Sequence, residues 1–184
     1  AHGGITTVVT MPNLNPAPDS VESIAIQQQL IAEQALVEVR PLATITTNRS
    51  GNEVVDVESL MPHCAGFSDD GSGVQSGEVM LEAMNRIAAA DGIIAAHCED
   101  ESLLFGGYIH DGEYAKIHGH RGICSESEWK QIERDISLAK QTGVKYHVCH
   151  ISTKESVSLI RNAKKDGVDI TSETAPHYLV YNDM

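Results

Sequence analysis

The stretch Ile93-Ile94-Ala95-Ala96-His97-Cys98-Glu99-Asp100 decides how this chain is read. It is a short apolar run that ends in a histidine and then turns acidic. An apolar run of this length, preceded by Gly92, reads as a buried parallel strand. Its polar residues stand at the C-terminal end, where α/β folds place their ligands. The same design returns at Val144-Lys145-Tyr146-His147-Val148-Cys149-His150-Ile151-Ser152, and in simpler form at Cys64-Ala65-Gly66-Phe67-Ser68-Asp69-Asp70-Gly71. Three such strands side by side bring a carboxylate and two imidazoles together over one end of a sheet.

Working outward, the chain alternates strand and helix patterns. Ile5 to Thr10 is a β-branched strand stopped by Pro12. Asp19 and Glu22 are spaced as a capping box for a helix with Ile24, Ile31, Ala32 and Ala35 on its apolar face. Val39 to Thr46 is the second strand, and a short helix through Val57 and Leu60 closes at Pro62. Cys64 to Ser68 is the third strand. Glu78 to Asp91 is a helix with Val79, Met80, Ala83, Met84, Ile87 and Ala88 in a stripe, stopped by Gly92. His97 ends the fourth strand, and residues 103–124 read as a long loop. Ser125 and Glu128 cap a helix with Trp129, Ile132, Ile136 and Ala139 inward. The fifth strand carries His150. Ser152 and Glu155 cap a helix that buries Val157, Ile160 and Ala163, and Val168 to Ser172 is the sixth strand. Strict βα alternation implies an α/β fold with a parallel sheet and right-handed crossovers. A complete (β/α)8 barrel takes about 250 residues, so this chain reads either as an open sheet or as a barrel cut at both ends.

The 184 residues suffice for one domain with a real core. A net charge of −13 disfavours nucleic acid and anionic membrane as partners. No apolar run is long enough to span a bilayer and no signal peptide is visible. Cys64, Cys98, Cys124 and Cys149 form no CxxC pair and read as reduced thiols of a cytoplasmic protein. The chain opens at Ala1 on a strand and stops at Met184, so it reads as part of something larger.

Asp70, His97 and His150 form the candidate site. Imidazole nitrogen and carboxylate oxygen suit a catalytic zinc, and three protein ligands leave a position for water of lowered pKa. Taken singly, a strand-end histidine is a common structural residue and Asp-Asp-Gly a common turn; the case rests on three strand ends agreeing. His118-Gly119-His120 follows no apolar strand and reads as solvated loop. His147 and Cys149 are expected to point away from the His150 side and pack against helices, as Cys98 does relative to His97. Gly71-Ser72-Gly73 lacks the lysine of a phosphate loop, and His177 reads as a loop histidine.

The series Gly3-Gly4-Ile5-Thr6-Thr7-Val8-Val9-Thr10-Met11-Pro12-Asn13, Phe67-Ser68-Asp69-Asp70-Gly71, Ala96-His97-Cys98-Glu99-Asp100 and His147-Val148-Cys149-His150-Ile151-Ser152-Thr153 resembles dihydroorotase, in the class I bacterial branch of the amidohydrolase superfamily. Hydantoinases and allantoinases share the fold but place a carboxylated lysine where this chain has Asp-Asp-Gly. The resemblance implies an incomplete TIM-like (β/α)8 barrel over residues 1–184, a single domain covering about strands two to seven. It implies interconversion of N-carbamoyl-L-aspartate and dihydroorotate in pyrimidine synthesis. It makes Asp70, ranked above Asp69, a ligand shared between two Zn2+ sites, His97 and His150 ligands of one of them, and Asn13 a contact to the substrate carboxylate. The family's His-x-His-x-Arg segment and its catalytic aspartate have no equivalent here. The general base therefore lies outside this chain, and the segment alone is expected to hold at most one zinc and to be inactive. Two alternatives stay open: a non-catalytic scaffold for aspartate transcarbamoylase, and another cyclic-amide hydrolase. Open sheet edges predict self-association into a homo-oligomer.

Overall fold

A computed structural model describes residues 2–181. Its strands are β1 (Thr7–Thr10), β2 (Glu38–Pro41), β3 (Ile93–Ala96), β4 (Ile109–His110), β5 (Gly122–Ile123), β6 (Lys145–Val148) and β7 (Ile170–Ser172). Its helices are α1 (Val21–Gln34), α2 (Val57–Leu60), α3 (Gly77–Ala89), α4 (Glu113–His118), α5 (Glu126–Thr142), α6 (Lys154–Lys165) and α7 (Pro176–Val180).

β1 pairs with β2, β3 with β6, and β6 with β7, all in parallel. Residues 64–68 join the two groups. Ala65 N–H donates to Pro41 O and Ser68 N–H to Ala43 O on one side; Phe67 N–H donates to Ile93 O and accepts at its carbonyl from Ala95 N–H on the other. The spatial order is therefore β1, β2, residues 64–68, β3, β6, β7, the same as the chain order. With α1, α2, α3, α5 and α6 in the crossovers, right-handed connections put these helices on one face. Gly66 permits a close strand approach: a Cβ there would stand 2.6 Å from Ile93 Cγ2 and 2.8 Å from Ile93 O.

The core follows from this layering. Phe67, Ile94, Tyr146, Val148 and Ile170 meet Met80, Met84, Ile87, Ile132 and Ile160 in the large cluster between sheet and helices. The opposite face holds only a small cluster of Leu42, Ala95 and Cys149, with Met11 and Ala65 against it.

Several local expectations are corrected. α1 is capped by Ser20 with Ser23, because Asp19 instead accepts from Asn48 N–H at 2.9 Å. Only Ile24 of its expected apolar face is buried; Ala32 and Ala35 are exposed. Pro62 does not close α2 but lies inside a following 3-10 turn. α6 is capped by Thr153 rather than Ser152, and Val157 is exposed. Ser125 occupies the N-cap position of α5 but makes no side-chain cap bond, and the Glu128 carboxylate reaches across to Ser152 and Thr153 instead. Residues 103–124 are not irregular throughout, since they contain α4 and the parallel pair β4–β5.

The expectation for His147 and Cys149 also fails. Strand alternation holds through Val148, so both occupy the face away from the helices. His147 stands beside Ala95 in the β3–β6 register, and Cys149 is buried with Leu42 and Ala95. His150 breaks the alternation because β6 has ended and its φ is +37°.

Candidate metal centre

His97 and His150 stand just past strands, and Asp70 just past the extended segment 64–68. His97 follows Ala96, the last residue of β3. His150 lies two residues beyond Val148, the end of β6, in the left-handed backbone region at φ +37°. A bulky residue there costs about 1–3 kcal/mol unless its surroundings over-determine it. Asp70 lies in the turn after residues 64–68. Ser68 Oγ accepts from Asp70 N–H at 3.0 Å, and Arg49 Nη1 donates to Asp70 O at 2.7 Å. Gly73 lets this turn close on the His97 segment: at φ +61°, a Cβ there would lie 2.9 Å from His97 O.

The three side chains converge. His97 Nδ1 and His150 Nε2 are 3.1 Å apart, with the rings edge to face at 4.9 Å between centroids. Asp70 Oδ1 is 3.7 Å from His97 Nδ1 and 3.5 Å from His150 Nε2. Ligands bound to zinc at 2.0–2.1 Å in a tetrahedron are separated by about 3.3 Å. The observed triangle brackets that value, and its nitrogen and oxygen donors are the types zinc takes. All three residues are half-buried, leaving the cluster open to a small ligand. The residues present fit a divalent metal.

Their electrostatics agree. The His150 imidazole, the strongest influence, holds the Asp70 carboxyl below the usual carboxylate range against the opposing effect of burial, and the charges of His97 and Arg49 act the same way. The Asp70 contact in turn raises the His150 imidazole. Ionised carboxylate and imidazole at this separation favour each other.

Asn13, just beyond β1, donates Nδ2–H to Asp70 Oδ2 at 3.2 Å and so stands at the same rim. Asp69 does not. It is buried and accepts from Ile45 N–H at 2.8 Å and Thr46 N–H at 3.2 Å; the Thr46 hydroxyl completes its shell. Burial raises its carboxyl despite these donors.

A cleft of about 860 Å³ opens beside the cluster, lined among others by His97, His150, His110 and Glu128. His177 and Tyr178 also line it, so His177 borders the site without joining the cluster. His118 and His120 stay apart, exposed beside Tyr114.

Among the described residues, one other group could hold a metal: His147, Cys149 and Glu173. His147 Nδ1 is 2.7 Å from Thr171 Oγ1 and its Nε2 3.7 Å from Glu173 Oε2. Burial, with the charges of Glu173 and Asp70, pushes the Cys149 thiol up to about 12. Sequence reasoning missed Glu173, although its place at the end of β7 repeats the strand-end pattern of His97. It also missed the buried polar side chains Gln131 and Asp135 on α5, which an apolar-stripe reading passes over.

The Dihydro-orotase-like family matches residues 1–156. The chain is 49% identical over 181 residues to a dihydroorotase of Shouchella clausii, covering 98% of this chain and 42% of that protein. It is 50% identical over all 184 residues to one of Bacillus caldolyticus, covering 43% of it. The chain thus spans less than half the length of these curated relatives. Among solved structures, the L-hydantoinase of Arthrobacter aurescens superposes with a TM-score of 0.80 at 22% identity, covering 98% of this chain and 42% of that one. The D-hydantoinase of a Bacillus species superposes at 0.77 with 18% identity over 98% of this chain and 42% of that one. These likenesses show a shared fold.

Proposed function

The chain belongs to the dihydro-orotase-like family, and from that premise we propose that the protein it builds is a dihydroorotase. The parallel sheet, whose spatial order repeats its chain order, is then the arc of strands two to seven of a (β/α)8 barrel. The reaction interconverts N-carbamoyl-L-aspartate and dihydroorotate: in one direction water adds across the ring amide, and in the other closure expels it. The observation that carries the reading is the meeting of Asp70, His97 and His150 within 3.7 Å of one another.

The roles follow from chemistry. Asp70, His97 and His150 would hold a zinc ion, and Asp70 would be shared with a second zinc site. When bound, zinc supplies Lewis acidity and brings the pKa of a water molecule to about 7. The Asn13 amide N–H, which points at Asp70 at the same rim, would donate to the substrate carboxylate. The depressed Asp70 carboxyl stays ionised and ready to ligate. The half-buried setting strengthens these polar contacts relative to bulk water. The general base would come from outside this chain. The four free cysteines fit a reducing cytoplasm.

The test is His97→Ala in the full-length protein, with metal content and hydrolysis of dihydroorotate, hydantoin and allantoin measured together. We expect dihydroorotate to be preferred and both zinc content and turnover to fall, turnover by at least about 10²-fold. Full zinc occupancy and turnover in the variant would overturn the reading.

A further inference from the structure

Helix α5 carries no member of the cluster, yet it touches all three loops that do. Glu128, in its first turn, accepts from the backbone N–H of Ser152 at 3.0 Å and of Thr153 at 3.0 Å. It also accepts from the hydroxyls of Ser152, Thr153 and Ser156 at 2.6, 2.9 and 2.6 Å. Ser152 and Thr153 immediately follow His150 and Ile151, and Ser156 lies in the first turn of α6. Gln131 is buried. Its Nε2 donates to His97 O at 3.2 Å, and its Oε1 accepts from Glu99 N–H at 3.1 Å. It therefore grips the chain on both sides of Cys98. Arg134 donates to Val74 O at 2.8 Å and Gln75 O at 2.6 Å, in the loop that follows Asp70.

The spacing is what makes this one device. Residues 128, 131 and 134 step by three along the helix, so they cover roughly a third of its circumference. One stripe of α5 thus reads the loops in order: His150, His97, Asp70. Gln75 ties two of these loops to each other through Glu99 O at 3.0 Å and Glu101 N–H at 3.1 Å. The stripe is itself fixed to the sheet. Asp135, fully buried, accepts from Tyr146 Oη at 2.7 Å and from Arg134 Nε at 2.8 Å. Tyr146 lies on β6, the strand that leads to His150.

The bonds of the Glu128 carboxylate go to Ser152, Thr153 and Ser156 rather than to the first turn of its own helix. It sits at the N-terminus of α6, where negative charge is favoured. Ordinary capping would need only one of its contacts. The set it makes spans the two residues after Ile151 and restrains the chain that leaves His150 at φ +37°. A backbone held in that region needs such over-determination.

We propose that Glu128, Gln131 and Arg134 are positioning residues through which α5 sets the separation of Asp70, His97 and His150. The inference rests on the metal reading above. It assigns the metal site's preorganisation to a helix that contributes no ligand to it.

The experiment uses the full-length protein with Glu128→Ala, Glu128→Gln, Gln131→Met and, as control, Glu126→Ala at an exposed position on the same turn. Zinc affinity is read by chelator competition and geometry by the visible absorption of the Co2+-substituted protein. Amide exchange at Ser152 and Thr153 is followed in metal-free protein. We expect Glu128→Ala and Gln131→Met to weaken zinc binding by about 10- to 100-fold and to alter the cobalt spectrum. Exchange at Ser152 and Thr153 should rise in Glu128→Ala. Glu128→Gln, which keeps the size and one acceptor oxygen, should recover part of the affinity and reads the clamp even where Gln131→Met fails to fold. Glu126→Ala should match the parent. Parent-like zinc affinity and cobalt spectrum in the Glu128 variants would overturn the proposal, whatever their melting temperatures. If His97→Ala loses zinc while these variants keep it, only the positioning role fails; if His97→Ala also keeps zinc, the metal reading fails and takes this inference with it.

Discussion

The helix-packed face of the sheet and the face opposite it are built from alternate residues of the same strands, and they differ in what burial is used for. Phe67, Ile94, Tyr146 and Val148 are fully enclosed on the first. The second buries little beyond Leu42, Ala95 and Cys149 among the described residues, and carries a half-buried His147 bonded to Thr171. At the rim the contrast narrows to two neighbours. Asp69 turns into the Ile45–Thr46 segment and is saturated by donors. Asp70 turns outward and meets two imidazoles. Neighbouring carboxylates thus divide into one that holds the fold and one left free for a ligand.

The sharpest way to break this contrast is to delete each carboxylate in turn. Asp69→Ala strands two backbone N–H groups and a hydroxyl in the interior. The expected loss is about 3–5 kcal/mol, read by equilibrium denaturation of metal-free protein. Asp70→Ala removes a half-buried group whose partners reach solvent and should cost no more than about 1 kcal/mol. Zinc binding should invert the order: Asp70→Ala abolishes it in protein that remains folded. Equal stability losses in the two variants would remove the distinction between them.

A middle-sized test compares the two faces at neighbouring residues of β6. Tyr146 is buried, and its hydroxyl donates to the enclosed Asp135 carboxylate. Tyr146→Phe keeps the ring and removes a hydrogen bond to a charged group, an expected loss of about 1.5–3 kcal/mol. His147→Gln on the other face keeps a polar side chain at a half-exposed position and should stay within about 1 kcal/mol. A larger loss at His147 than at Tyr146 would show that the second face carries more of the stability than its burial suggests.

This division also explains what the sequence could and could not disclose. The βα alternation was legible because apolar runs such as Ile93–Ala96 and stripes such as Met80, Ala83, Met84 and Ile87 obey the periods of strand and helix. The cluster was legible because strand ends in a parallel sheet share one rim. Phase was harder. The reading placed His147 and Cys149 against helices because it carried strand alternation through to His150, whereas β6 ends at Val148 and a left-handed residue follows. No local signal marks a histidine for positive φ; the contacts at Ser152 and Thr153 that support it come from Glu128, more than twenty residues away in sequence. Gln131 and Asp135 were hidden for a related reason. Polar residues on an amphipathic helix read as solvent-facing, and only the assembled loops show what they bind. The caps shifted by a residue where several side chains could serve, as among Asp19, Ser20 and Ser23.

The smallest effect is the one that reads the contrast most directly, because it depends on the sign of two titrations. Burial raises the Asp69 carboxyl, so the native state holds its proton more tightly than the unfolded chain does. The contribution of Asp69 is fully present below the unfolded value of about 3.9 and is lost as pH rises through the higher native one. Asp70 runs the other way. Its carboxyl is lowered, first by His150, so its contribution is present above about 3.9 and is lost as pH falls through the lower native value. In metal-free protein the two slopes oppose each other, and each variant should uncover the other's. Asp69→Asn should make stability decline less as pH rises from about 4, while Asp70→Asn should make it decline less on acidification below about 4. Each change should amount to about 1 kcal/mol or less, within reach of denaturation curves taken at close pH intervals. Slopes of the same sign in the two variants would mean that both carboxylates share one environment, and the separation of a structural from a ligating aspartate would be lost.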